Sequence, residues 1–211
     1  MLSKNELRDI ITGNAKPGQG EIIQTIALHL GRKKGSISAL ENSQPCTKAE
    51  EEAHLIDFID TIAFWHFGLD AGKHIGEGAE QKVFEHAESD YVIKTNDSIF
   101  YPYWEDYLHS LLIHNYFFPH LAYDLMGFLI MGKKLFSVVK QAYVSTREIT
   151  VLNHVKSFLM ANGFVHRKRN DYYHPELGII LEDLHDENVL TKEGALYFID
   201  TVFYITPDFY Q

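Results

Sequence analysis

Asp183-Leu184-His185-Asp186-Glu187-Asn188-Val189-Leu190, followed by Tyr197-Phe198-Ile199-Asp200, is the stretch that decides what fold this chain can adopt. An Asp, an Asn five positions on, and a second Asp closing a nearby apolar run have distinct chemical uses. The first Asp is suited to receive the proton of an attacking hydroxyl, and the Asn and second Asp offer hard oxygen ligands of the kind that hold Mg²⁺ against phosphates. Ile179-Ile180-Leu181, just before Asp183, reads as a buried strand able to deliver that side chain to a cleft. Upstream lies a second group: Ile75-Gly76-Glu77-Gly78, then Val83, then Val92-Ile93-Lys94. The glycines would let backbone N–H groups approach phosphates without interference from a Cβ. A lysine beside two aliphatic residues is costly to bury unless paired. Each feature has an ordinary alternative: turn glycines, a strand-end lysine, an Asn capping a local turn, an Asp ending a strand.

Composition bounds the rest. At 211 residues, 45% apolar and 13% aromatic, the chain can bury a substantial core. Its net charge of −10 argues against general nucleic-acid binding, and Arg167-Lys168-Arg169 is the best basic cluster it offers. The single cysteine, Cys46, excludes an intrachain disulfide framework. Twelve histidines include the group His109, His114 and His120, whose spacing matches no zinc pattern. No opening segment resembles a signal peptide and no apolar run reaches membrane-spanning length, so a cytoplasmic protein without membrane contact is expected.

Residues 1–64 read as a helical extension. Ser3–Glu6 and Thr47–Glu50 have the spacing of capping boxes, Pro17-Gly18 breaks the first helix, and Gly31 is placed to end the second. Residues 35–45 read as a loop. From Trp65 onwards glycines punctuate short strands, with Val83-Phe84 and Tyr91–Ile93 forming a hairpin. A helix is expected over about 102–115, and a buried strand over 135–144 running into a connector. Ser145–Glu148 reads as a third capping box before a helix ending at Gly163, and short strands fill the remainder. The fold class is α+β, with residues 65–144 as one lobe and connector and 145–211 as a minimal second lobe.

This order of motifs resembles the protein-kinase fold: a two-lobed α+β architecture with a strand-rich N-lobe and, here, a truncated C-lobe. More closely the chain is similar to the compact serine/threonine/tyrosine kinase-like domains of the polyvalent proteins of phages and mobile elements. The closer likeness lies in Gly76-Glu77-Gly78, Val92-Ile93-Lys94, His114–Pro119 with Met126-Gly127-Phe128, Lys140–Val144 and Glu182–Leu190, across about residues 65–205. The resemblance implies ATP and Mg²⁺ as cofactors. Gly76 and Gly78 would cover the phosphates, Val83 would pack on adenine, and the connector at Gln141 and Tyr143 would meet the adenine edge. Lys94 would contact phosphates and pair with a helix carboxylate. Glu105 is the best candidate because Leu108 and Leu112 share its helical face, with Asp106 and Glu80 as competitors. Asp183 would be the catalytic base, and Asn188 and Asp200 the metal ligands. His185 stands where protein kinases have lysine, as in aminoglycoside and choline kinases. It would hydrogen-bond Asp183 or the transferred phosphoryl group, or be structural.

The sequence also departs from the kinase pattern. Gln81 replaces a third glycine, Leu181-Glu182 stand where His-Arg is usual, and Asp200-Thr201-Val202 replaces Asp-Phe-Gly. Activation-loop switching is therefore not expected. No Ala-Pro-Glu anchor or peptide-docking helices follow Asp200. Three functions are consistent with the sequence: a kinase of protein hydroxyls, a kinase of a small hydroxylated molecule, and an inactive module that binds nucleotide or a protein partner.

Overall fold

Helix capping shapes the start of the chain. The computed structural model describes residues 3–38, 46–68, 74–77, 81–85 and 90–211. Its first elements are α1 (Lys4–Thr12), α2 (Glu21–Ser38) and α3 (Lys48–Thr61). Ser3 accepts a hydrogen bond from the Glu6 amide, and α1 ends at Gly13 with a left-handed φ of 79°. The Glu6 carboxylate accepts the Tyr116 hydroxyl at 3.0 Å, which ties α1 to a later helix. The box at α3 is complete, since Thr47 and Glu50 each accept the other's backbone N–H. Helix α2 does not stop at Gly31, as its sequence suggested, but runs through it to Ser38. A Cβ at Gly31 would lie 2.7 Å from the Glu105 carboxylate, so the glycine permits helix packing and does not terminate the helix.

Strands β1 (His74–Glu77), β2 (Gln81–Glu85) and β3 (Tyr91–Asn96) come next, followed by α4 (Trp104–Phe117), β4 (Asp124–Met131) and β5 (Lys134–Ala142). They form a five-stranded antiparallel sheet in the order β1-β2-β3-β5-β4. Strand β4 was not foreseen. Its register shifts beside Gly127, whose φ is 141°, and a Cβ there would meet the Phe64 carbonyl at 2.9 Å. That close approach lets residues 64–66 pair with Phe128, His66 donating to its carbonyl at 2.7 Å, and so cover part of the sheet edge.

The remaining elements are α5 (Leu152–Ala161), β6 (Val165–His166), β7 (Tyr172–His174), β8 (Ile179–Glu182), β9 (Val189–Lys192), β10 (Ala195–Phe198) and β11 (Val202–Ile205). Strands β11-β8-β7-β6 make one antiparallel sheet, and β9 and β10 a separate hairpin. The expected capping box at Ser145–Glu148 is not one. The Glu148 carboxylate instead accepts the amides of Glu193 and Gly194, and Thr146 donates to the Thr191 carbonyl at 2.6 Å. This segment therefore pins the β9–β10 turn, and α5 starts later, with Val151 at its N-cap position.

Helix α4 is the centre of the molecule, buried from Trp104 through to Asn115 apart from Glu105 and Asp106. Helices α1, α2 and α3 pack on one side and β11 on the other. Its own N-cap residue, Tyr103, makes no side-chain cap. Glu51 of α3 does so instead, accepting from the Trp104 amide at 2.6 Å and the Glu105 amide at 3.4 Å. A carboxylate against the positive end of the helix is favourable twice over, by hydrogen bonding and by charge. One hydrophobic cluster runs from Leu7 to Phe209, so the helices of residues 1–64 share their core with the rest of the chain. Among the described residues no helix is long and apolar enough to cross a membrane.

Candidate active site

Strand alternation places the cation. Val92 and Lys94 lie two apart on β3 and face the same way, into a cleft of about 1080 Å³. Val83 pairs with Lys94 across the β2–β3 ladder and lines the same cleft. Lys94 is 4% exposed, and its ammonium donates to the Ile199 carbonyl at 2.7 Å. Burial pushes its pKa below the ordinary lysine value, and the Asp200 carboxylate pulls it part of the way back. Glu105 does not supply that charge. Its carboxylate lies against Gly31 of α2 and it does not line the cleft. The expected Lys94–Glu105 pair is thereby corrected: "inward" on α4 has more than one direction, because this helix is buried against several elements. Glu80, a competitor for the same role, and Gly78 lie outside the described residues.

The opposite wall is a loop that begins where β8 ends. Asp183 has a left-handed φ of 63°, a conformation that Asp tolerates better than most residues and that turns the chain sharply out of the strand. Its amide donates to Asp171 Oδ1 at 3.4 Å, and the next amide, of Leu184, to the Asn170 carbonyl. Asn188 Nδ2 donates to the Asp183 carbonyl at 2.8 Å and lies 3.3 Å from Asp183 Oδ2. The carbonyl can only accept, which orients the amide and leaves Asn188 Oδ1 without a hydrogen bond among the described residues. The Asn188 carbonyl in turn accepts the amides of Ile199 and Asp200, at 3.0 and 3.2 Å. The loop of Asp183 and the segment of Asp200 are thus locked together through Asn188. His185 Nδ1 accepts the Glu187 amide at 3.3 Å, and its Nε2 lies 3.1 Å from Asn188 Nδ2 and 3.7 Å from Asp183 Oδ1.

Gly76, Val83, Lys94, Gln141, Tyr143, Asp183, His185, Asn188 and Asp200 all line the one cleft. A Cβ added at Gly76 would meet nothing nearer than Val83 Cβ at 3.9 Å, so packing does not demand glycine there. Within the connector, the Tyr143 amide is taken by the Asp90 carbonyl at 2.8 Å. The Gln141 side chain is buried, its amide donating to the Leu121 carbonyl at 2.8 Å. Sequence reasoning missed Asp171, which braces Asp183, and Tyr123, whose hydroxyl donates to Ile199 at 3.0 Å. Neither has a local signature: each reaches the site only through tertiary folding.

The donor set suits magnesium. Asn188 Oδ1 and the Asp200 carboxylate are hard oxygen ligands, and no hydrogen bond among the described residues reaches the Asp200 carboxylate. Among those residues there is no group of three or more His, Cys, Asp and Glu side chains able to hold a metal ion by itself. Mg²⁺ bound with nucleotide needs no such cage, since phosphates and waters complete its shell.

Comparison with curated proteins returned no match, and comparison with solved structures returned none. A family model does match, over residues 48–207, and its description is "Serine/Threonine/Tyrosine Kinase found in polyvalent proteins". The match takes in α3 and its Glu51 as well as every cleft residue described above. With that span matched, and with Lys94, Asp183, Asn188 and Asp200 converging on one cleft, the chain belongs to the serine/threonine/tyrosine kinases found in polyvalent proteins.

Proposed function

We propose that the protein transfers the γ-phosphoryl group of ATP to a hydroxyl of a protein, from a cleft between two lobes. Supporting this above all is the buried Lys94 ammonium, whose pKa only Asp200 raises, at the edge of a cleft that also contains Asp183 and Asn188. A buried cation with so little compensation is suited to an anionic ligand. In this reading Gly76 and Val83 cover phosphates and adenine, and the adenine edge meets the backbone of Ala142 to Val144. Lys94 holds phosphate oxygens. Asn188 and Asp200 would hold Mg²⁺, which when bound neutralises phosphate charge. Asp183 accepts the proton of the acceptor hydroxyl as its oxygen bonds to the γ-phosphorus and the bond to the β–γ bridging oxygen breaks, leaving ADP. His185, whose Nε2 lies 3.7 Å from Asp183 Oδ1 and 3.1 Å from Asn188 Nδ2, steadies the pair.

A second acceptor class is favoured by one observation. Asp171, Glu182 and Glu187 line the cleft beside Asp183, and burial, with Asp171 adding to it, pushes the Glu182 carboxyl up. That wall suits a small hydroxylated cation of the kind phosphorylated by aminoglycoside and choline kinases.

The test is a thermal-shift titration with ATP, with and without Mg²⁺, on the wild type, Asp200→Ala and Asp183→Asn, followed by turnover assays on protein and aminoglycoside acceptors. A Mg²⁺-dependent rise, lost in Asp200→Ala, is expected. Asp183→Asn should keep that rise and lose turnover by about 10²–10⁴-fold. Turnover at the wild-type rate in Asp183→Asn rules out the base assignment. Binding without turnover on any acceptor leaves a nucleotide-binding module.

A further inference from the structure

The segment that presents Asp200 is gripped on both flanks by buried side chains. Before it, the Ile199 carbonyl accepts two donors, Lys94 Nζ at 2.7 Å and the Tyr123 hydroxyl at 3.0 Å. After it, Thr201 Oγ1 lies 2.7 Å from His114 Nδ1. His114 is fully buried on α4, Tyr123 is 3% exposed and Thr201 6%. The His114 and Tyr123 rings pack with centroids 4.4 Å apart, and the Lys94 ammonium lies 5.6 Å from the Tyr123 centroid.

The direction of the His114–Thr201 bond follows from its surroundings. His114 Nε2 lies 3.0 Å from the Leu121 carbonyl, which can only accept, so Nε2 carries the proton. Nδ1 of the neutral ring is then an acceptor, and the Thr201 hydroxyl must donate to it. Gln141 Nε2, 3.4 Å from His114 Nε2, is a second donor to the same carbonyl and makes no bond to the ring. Asn115, next along α4, fixes the backbone of Tyr123 with bonds of 2.9 and 2.7 Å. Helix α4 therefore reaches the Asp200 segment through His114 and Asn115, and not through Glu105.

We infer that His114, Thr201 and Tyr123 are positioning residues: they hold the Ile199–Thr201 backbone so that the Asp200 carboxylate points into the cleft. This rests on the reading of Asp200 as the ligand of nucleotide-bound Mg²⁺. The hydroxyl at position 201 has to be a donor, which serine satisfies and valine does not.

The full chain is compared as wild type, Thr201→Val, Thr201→Ser and Tyr123→Phe. Mg²⁺ affinity in the presence of ATP is read by thermal shift, kcat and KM by turnover, and the His114 ring nitrogens by long-range ¹H–¹⁵N spectra at neutral pH. Thr201→Val should weaken apparent Mg²⁺ affinity by about tenfold, as loss of a ligand-orienting contact does, with the KM for ATP at saturating Mg²⁺ within about twofold. Thr201→Ser should restore it. Tyr123→Phe should weaken it in the same direction and serves if Thr201→Val fails to fold. The wild-type spectrum should show His114 as the Nε2–H tautomer, with the Nδ1 resonance moving towards that of an unbonded nitrogen in Thr201→Val. Mg²⁺ affinity unchanged in Thr201→Val and Tyr123→Phe, or unrestored by serine, overturns the proposal alone. A His114 proton on Nδ1 overturns it irrespective of any activity. Absence of Mg²⁺-dependent ATP binding in the wild type overturns the reading of the site, and this proposal with it.

Discussion

Acidification from pH 7 to pH 5 should destabilise the protein by about 2 kcal/mol through His114 alone. Burial pushes the pKa of this ring from 6.5 down to about 3, against the Leu121 carbonyl bond that raises it and with the Lys94 charge lowering it further. In the unfolded chain the imidazole titrates near its ordinary value. Between these two values the unfolded chain binds a proton that the folded one refuses, so stability is full above pH 6.5 and falls as the pH drops below it. At pH 5 the unfolded ring lies about 1.5 pH units below its titration point, worth roughly 2 kcal/mol at about 1.36 kcal/mol per unit. Urea denaturation at both pH values, on the wild type and on His114→Gln, isolates the contribution. The comparison is needed because burial also lowers the pKa of His174, which adds loss of the same sign to both proteins. If His114→Gln loses as much stability on acidification as the wild type, within about 0.5 kcal/mol, the ring is not buried in the neutral form and the bond direction inferred at Thr201 fails with it.

Other expectations follow from single contacts. Lys94→Met should abolish phosphoryl transfer while leaving stability unchanged or up to about 2 kcal/mol higher, because a buried ammonium with one carbonyl partner gives way to an apolar side chain; urea denaturation beside an ATP turnover assay decides this. Gly76→Ala should shift stability by less than about 1 kcal/mol, there being nothing for its Cβ to strike, yet weaken ATP binding several-fold. Unchanged ATP affinity by titration would remove Gly76 from the phosphate cover. Glu51→Ala should cost about 1–2 kcal/mol by leaving the first amides of α4 without their acceptor, again measured by urea denaturation.

What was legible in the sequence was local. Asp183, Asn188 and Asp200 are placed by short spacings within one loop and hairpin, and Lys94 by alternation along a strand, so their convergence on one cleft could be read before their contacts were known. Three errors share a cause, which is that a local pattern was given a local use. Ser145–Glu148 has capping-box spacing but spends its carboxylate on the amides of Glu193 and Gly194. Gly31 has helix-ending chemistry but serves the approach of α2 to α4. Glu105 is on the face of Leu108 and Leu112, but that face turns towards α2. Strand β4 was missed because Gly127 interrupts its alternation, and the reason for that glycine is the chain at Phe64. His114 was visible as the first residue of the His114–Pro119 motif and as one of many histidines, with no role attached to it. Nothing in its neighbourhood in sequence announces Thr201, 87 positions away.

Glu51 has a bearing on where a working unit of this family begins. Its carboxylate starts α4 from 53 positions upstream, across a stretch that contains the first three strands. A piece cut at Trp65, where the glycine-punctuated strands set in, would carry every cleft residue named above. It would nonetheless lack the acceptor on which the central helix begins. The shortest segment that brings its own helix start with it opens at Thr47, whose side chain in turn starts α3. The family match opens one residue later, at 48. The match therefore opens on a helix that lines no part of the cleft, while α1 and α2, which share its core, lie before it. Anyone excising, fusing or transplanting this unit should keep α3, and α1 and α2 with it, because Leu7, Ile23, Ile26 and Leu30 belong to the same core.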